Sequence, residues 1–127
     1  MELVRSEAGG VLIVEDESMI AMLLEMILED ASIPVSGVAN AAEEALSVAA
    51  AVRPAAAVID IRLGPGPDGI HVAERLRERH VCGIVFVSGS GEQETLERIS
   101  RVEGAVFLQK PVNPAALVQH VRTMLPG

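Results

Sequence analysis

The chain has 127 residues, half of them apolar, with two Phe, no Trp, no Tyr and a single Cys. That suffices for one domain built on Val, Ile, Leu, Ala and Met, without disulfides or a structural metal. A net charge of −8 argues against nucleic acid, whose phosphates need clustered Lys and Arg, and the longest apolar stretch, Met19 to Leu28 with Glu25 inside it, is too short to cross a bilayer.

Residues 1–9 read as a frayed polar start, without the layout of a signal peptide, and residues 10–127 as one domain. A cytoplasmic protein with no membrane contact is the expectation. Val11 to Val14 is a continuous aliphatic run, the mark of a strand buried on both faces. Ser18 to Ala31 reads as a helix. Pro34 to Ala39 is a weaker strand. Asn40 is expected to cap the next helix, with Glu43 as its capping-box partner, and Pro54 ends that helix. Ala55 to Asp60 is a strand. A Gly/Pro-rich loop, Leu63 to Asp68, leads to a helix from about Gly69 to Arg79.

Gly83 to Val87 is the fourth strand, preceded by Cys82, which reads as a small core residue. Glu92 to Ser100 is a short helix with acidic residues in its first turn. Ala105 to Gln109 is the last strand. Asn113 caps the final helix, with Pro114 at its first position, and the helix runs to about Met124. Five strands alternating with five helices imply right-handed crossovers and a parallel sheet covered on both faces. Ligands of such sheets bind beyond the carboxyl ends of the strands, where strand order reverses.

Four apolar runs end at polar residues: Glu15-Asp16, Asp60, Ser88 and Lys110, the last being the only lysine. In a parallel sheet these endings share one edge. Three carboxylates held together need a cation between them, and Mg2+ takes such oxygen ligands while keeping water. Asp16 and Asp60 suit direct ligation, with Glu15 acting through water. Asp60 can also attack phosphorus and carry an acyl phosphate. Lys110 offers a compact ammonium for a phosphoryl oxygen. Ser88 offers a hydroxyl, and Gly89 an N–H open to a close ligand. Taken singly, each has a plainer reading. An acidic pair serves a helix dipole, an Asp or Ser ends a strand, and a Lys makes a loose ion pair.

Together these motifs resemble the receiver domain of two-component response regulators over about residues 10–125. VLIVEDE is similar to the family's first strand and acidic pair. AVIDIRL resembles its phosphoacceptor strand, VFVSGS its switch-residue strand, and VFLQKP its Lys-Pro strand. The resemblance implies a flavodoxin-like, doubly wound α/β fold with strand order 2-1-3-4-5. It implies Mg2+ held by Glu15, Asp16, Asp60 and the Arg62 carbonyl. Asp60 would accept phosphate from a sensor histidine kinase or histidine phosphotransferase. Ser88 and Lys110 would contact the phosphoryl group, in a phosphoacceptor rather than a conventional enzyme. Ser88 and Phe107, at the family's rotamer-switch position, would pass the signal to the surface formed by the fourth helix, fifth strand and fifth helix. An effector protein or a homodimer would read it there.

Three departures stand out. The loop Gly64 to Pro67 is one residue longer than the common pattern. Phe107 lacks the hydroxyl of the common Tyr. Arg62 and Ser90 occupy positions that affect dephosphorylation in the family. Other readings remain beside the main one. A degenerate receiver acting only as an interaction module would keep the fold without the chemistry. A haloacid-dehalogenase-like hydrolase would want an acid where Arg62 stands. A flavin carrier would want aromatic rings and a hydroxyl-rich phosphate loop. No output module is visible after the last helix.

Two further patterns concern surfaces. Ile20, Leu23, Leu24, Ile27 and Leu28 fall on one side of the first helix and suit the core. Met19, Met22 and Met26 fall on the other, either packed on the last helix or exposed as a docking stripe, the role the resemblance gives this helix toward the phosphodonor. Arg75, Arg77 and Arg79, interrupted by Glu74 and Glu78, read as a solvated helix face. His71, His80 and His120 lack metal-ligand spacing.

Overall fold

The computed structural model describes residues 9–81, 83–89 and 91–126. Residues 1–8, Cys82, Ser90 and Gly127, with the expectations attached to them, lie outside this set. The elements alternate as the sequence patterns require: Val11–Val14 (β1), Ser18–Asp30 (α1), Val35–Ala39 (β2), Ala42–Val52 (α2), Ala56–Asp60 (β3), Gly69–Glu78 (α3), Gly83–Ser88 (β4), Gln93–Ser100 (α4), Val106–Gln109 (β5) and Pro114–Met124 (α5). The five strands form one sheet in the order β2-β1-β3-β4-β5, every pair parallel.

The three central strands are buried along their whole length, whereas the edge strands β2 and β5 are mostly half-buried. Continuous aliphatic runs fill the centre because both faces there are covered. One face of the sheet packs on α2 and α3 through Ala45, Ala49, Ile70, Val72 and Leu76, with Ile99 of α4 joining them. The other face packs on α1 and α5 through Leu24, Leu28, Leu117 and Val121.

Two caps differ in how they follow the sequence. Asn113 caps α5 as its spacing predicts, its side chain accepting the Ala116 N–H at 3.0 Å. Asn40 does not cap α2. The N-cap is Ala41, which makes no side-chain cap bond. Instead the Asn40 N–H donates to Glu44 Oε1 at 2.8 Å. The acidic half of the expected capping box is present, displaced by one residue from Glu43, because the helix starts one residue later.

The solvated reading of the Arg75–Arg79 face holds. Arg75 lies 3.2 Å from Glu78, and Arg79 donates to the Leu46 carbonyl at 3.2 Å. No helix among the described residues is long and apolar enough to cross a membrane.

Candidate functional site

The register brings the polar strand ends to one edge. Val14 pairs with Ile59, so Glu15 comes level with Asp60 across β1 and β3. Asp60 pairs with Val87, which places Ser88 one step beyond it. Ser88 pairs with Gln109, and the Lys110 N–H donates to the Ser88 carbonyl at 2.8 Å. The edge lies where the chain leaves β1 for β2 on one side and β3 on the other, the place where such sheets bind ligands.

Glu15, Asp60 and Ser88 are the buried polar side chains among the described residues. Glu15, Asp16 and Asp60 each bring a carboxylate oxygen within 4.8 Å of the others. Lys110 Nζ lies 3.2 Å from Glu15 Oε1 and 3.4 Å from Asp60 Oδ2. Its position is an ion-pair position rather than a hydrogen-bonding one toward Glu15, whose Oε1 is buried without a hydrogen-bond partner. Glu15 Oε2 accepts the Glu17 N–H at 3.2 Å, and Asp60 Oδ1 accepts the Arg62 N–H at 3.3 Å. Gly89 is exposed, with nothing within 4 Å of where a Cβ would stand, so its backbone is open to a ligand.

The electrostatics of this edge are unfavourable to bare carboxylates. Burial pushes the Glu15 carboxyl up to about 7, and the Asp60 charge adds to that, against the Glu17 N–H and the Lys110 ammonium. For Lys110, burial works against the charged form, but the charges of Asp60 and Glu15 outweigh it and hold the ammonium above its ordinary range. One ammonium facing two buried carboxylates, with a third carboxylate beside them, leaves an excess of negative charge. Three hard oxygen donors gathered there fit a small divalent cation such as Mg2+.

A consequence for stability follows. A carboxyl whose folded pKa is raised stabilises the fold fully below its ordinary value of 4.5, and that contribution is lost as pH rises through about 7. In EDTA, the urea midpoint is expected to fall between pH 5 and pH 8, by the equivalent of roughly 2 kcal/mol. Glu15→Gln flattens that decline. A pH profile identical in the two proteins would show that Glu15 does not cause it.

The sequence profile of the response regulator receiver domain matches residues 11–122. The chain belongs to this family. It is similar to the transcriptional regulatory protein SrrA of Staphylococcus aureus, at 34% identity over 123 residues, covering 93% of this chain and 48% of SrrA. The chain therefore spans about half the length of that relative. Among solved structures it resembles the signal receiver domain of a modulated diguanylate cyclase from Desulfovibrio desulfuricans G20, with TM-score 0.84, 35% identity and coverage of 93% and 94%. It also resembles a CheY-like receiver domain protein from Methanospirillum hungatei JF-1, with TM-score 0.81, 25% identity and coverage of 92% and 93%.

Around the acidic edge of this receiver domain, the loop from Leu63 to Asp68 has Gly64 and Gly66 at φ of +82° and +99°. Both are left-handed positions that favour glycine. A Cβ on Gly64 would stand 3.7 Å from Asp16 Oδ2, so the loop passes beside Asp16. Arg62 is exposed. Phe107 is half-buried and packs against the α2–α3 side of the core. Among the described residues the acidic trio is the only metal-ligand cluster of three or more, and no histidine belongs to it.

The receiver domain's first helix corrects the sequence reading at one position. Leu23, expected in the core, is 54% exposed, alongside Met19 at 82%, Met22 at 61% and Met26 at 57%. The core-facing stripe is narrower than the apolar pattern, with Ala21, Leu24 and Leu28 buried and Ile20 and Ile27 on its flanks. At 100° per residue Leu23 falls beside the methionines rather than beside Leu24. The methionine stripe faces outward and does not pack on α5.

Proposed function

We propose that this receiver domain accepts a phosphoryl group on Asp60 from a phosphohistidine of a sensor kinase or histidine phosphotransferase, in a reaction that requires Mg2+. The observation that carries the reading is the gathering of buried Asp60 with the carboxylates of Glu15 and Asp16 and the ammonium of Lys110 at one edge of the sheet. Asp60 attacks phosphorus through a carboxylate oxygen. The bond from phosphorus to the donor imidazole breaks, and the imidazole leaves with its electron pair and takes a proton from solvent. Glu15, Asp16 and Asp60, with the Arg62 carbonyl, are the groups to hold Mg2+. When bound, Mg2+ supplies positive charge that screens the approach of an anionic donor.

Lys110 is held by Glu15 and Asp60 before the reaction and can follow the charge to the phosphoryl oxygens. Ser88 lies on the neighbouring strand end as a hydroxyl donor. Ser88 and Phe107 then relay the new state to the α4–β5–α5 surface, where an effector or a second copy binds. Arg62, exposed next to Asp60, is placed to influence water access to the acyl phosphate. The protein is a phosphoacceptor of the cytoplasm rather than an enzyme acting on other substrates.

The test is incubation with acetyl phosphate and Mg2+, followed by intact mass. One phosphoryl mass is expected, absent in EDTA and removed by hydroxylamine, which cleaves acyl phosphates. Absence of any adduct would leave the chain an interaction module with a receiver fold.

The exposed face of Met19, Met22, Leu23 and Met26 is the proposed docking surface for the protein phosphodonor. Flexible thioethers adapt to a partner's surface, and an exposed apolar patch of this kind marks an interaction site. Met19→Glu combined with Met22→Glu is expected to slow transfer from a phosphohistidine protein by at least about tenfold. Labelling by acetyl phosphate should be unchanged, because both side chains point to solvent. Equal slowing with both donors would mean that the substitutions disturb the site instead.

A further inference from the structure

The helix α4 is held by less packing than any other. Of its eight residues only Ile99 is buried, and Leu96 is 37% exposed. A polar link supplements that anchor. Arg98 Nη1 lies 2.7 Å from Asp68 Oδ2, and Nη2 lies 3.2 Å from Oδ1. This is a two-pronged guanidinium–carboxylate pair, the geometry in which arginine gives direction as well as charge.

Asp68 has a second task. Its Oδ1 also accepts the His71 N–H at 3.0 Å and so caps α3. One carboxylate therefore joins the start of α3 to the last turn of α4. Asp68 closes the loop that leaves Asp60, and the loop is pinned at both ends. The Arg62 N–H donates to Asp60 Oδ1 at 3.3 Å, and the Gly69 N–H donates to the Ile61 carbonyl at 2.8 Å. A group bonded to the Asp60 carboxylate changes the acceptor available to Arg62 at the loop's beginning.

We infer that the Asp68–Arg98 pair is a tether through which the state of the Asp60 site sets the position of α4, by way of the loop between them. This rests on Asp60 being the phosphoacceptor. It adds a route that does not pass through β5, where Phe107 has no hydroxyl to exchange partners. Packing alone gives α4 little reason to keep one position, whereas a directional ion pair has distinct made and broken states. Such a two-state element, biased from a distance, is what physical coupling requires.

The experiment is hydrogen exchange of peptides covering residues 93–100, with and without Mg2+ and beryllofluoride, which stands in for the phosphoryl group. Asp68→Asn keeps a capping oxygen for α3 and removes the charge. Arg98→Met keeps the aliphatic stem and removes the fork. In the natural protein, α4 exchange is expected to change by at least about fivefold on adding beryllofluoride. In both variants it should be at least about threefold faster without the ligand and change by less than about twofold with it.

Acetyl phosphate labelling of Asp60 should stay within about twofold of the natural protein in both variants, which shows that they fold and keep the site. An α4 response equal to that of the natural protein in either variant overturns the tether. So does a natural protein that labels fully but shows no α4 response. Failure of the natural protein to label at all would instead overturn the phosphoacceptor reading, since labelling is read separately.

Discussion

Asp60→Asn protein exposed to acetyl phosphate and Mg2+ is expected to carry no phosphoryl group, where the natural protein carries one. An amide is not a carboxylate nucleophile, so the loss is complete rather than graded. The substitution also removes one negative charge from an edge where Glu15 is buried and shares the Lys110 ammonium with Asp60. Two physical effects therefore move in opposite directions. Affinity for Mg2+ falls, because a hard donor becomes a neutral amide. Metal-free stability at pH 8 rises by about 1 kcal/mol, because Glu15 no longer faces a like charge. Intact mass, Mg2+ titration and urea unfolding measure the three consequences. An adduct of unchanged yield in Asp60→Asn would move the acceptor to another residue. A fall in metal-free stability would mean that Asp60 is held by more favourable contacts than its pairing with Lys110 and the Arg62 N–H.

Gly69→Ala is expected to be among the most damaging single-methyl additions in the chain, at roughly 2–4 kcal/mol. A Cβ at Gly69 would collide with the Asp60 carbonyl oxygen and stand 2.8 Å from Ile59 Cγ2 and 2.9 Å from the Asp60 carbonyl carbon. Two of those three atoms are backbone, so no rotamer change relieves the contact. The start of α3 has to move away from the end of β3, at the expense of the Gly69–Ile61 hydrogen bond of 2.8 Å. The melting temperature is expected to fall by roughly 8–15 °C. Gly91→Ala serves as the comparison. Its Cβ would meet nothing within 4 Å, and its effect should stay within about 0.5 kcal/mol. Similar melting temperatures for the two variants would show that α3 adjusts freely against β3. That would also weaken the argument that the loop before it is pinned.

Much of the site was legible because its signals are local. A strand in a covered parallel sheet is a short apolar run, and the first polar residues after it mark the strand's carboxyl end. Reading VLIV, AAAVI, GIVFV and VFLQ to their polar neighbours was therefore enough to nominate Glu15, Asp16, Asp60, Ser88 and Lys110. Asn113 followed by Pro114 was likewise a complete cap signal within two residues.

What failed to be legible depends on how whole helices sit on the sheet. Leu23 belongs to the apolar run of α1 but is exposed, since the buried stripe is only as wide as Ala21, Leu24 and Leu28 and Leu23 falls on its methionine side. Asn40 looked like a cap, and the real start of α2 one residue later was decided by where β2 delivers the chain. The Arg98–Asp68 pair joins residues 30 apart in sequence, and no spacing rule points from one to the other.

Sequence by itself determined the order of elements, the carboxyl edge as the one where the polar endings gather and the residue types found there, because periodicity and strand endings are short-range properties of the chain. Only the tertiary structure decided that Glu15 is buried while Asp16 is exposed, that Lys110 bridges Glu15 and Asp60, that the methionine stripe faces outward, and that α4 is linked to the loop leaving Asp60. Each of these depends on the distance between elements brought together by packing, and such distances are absent from any single stretch of the chain.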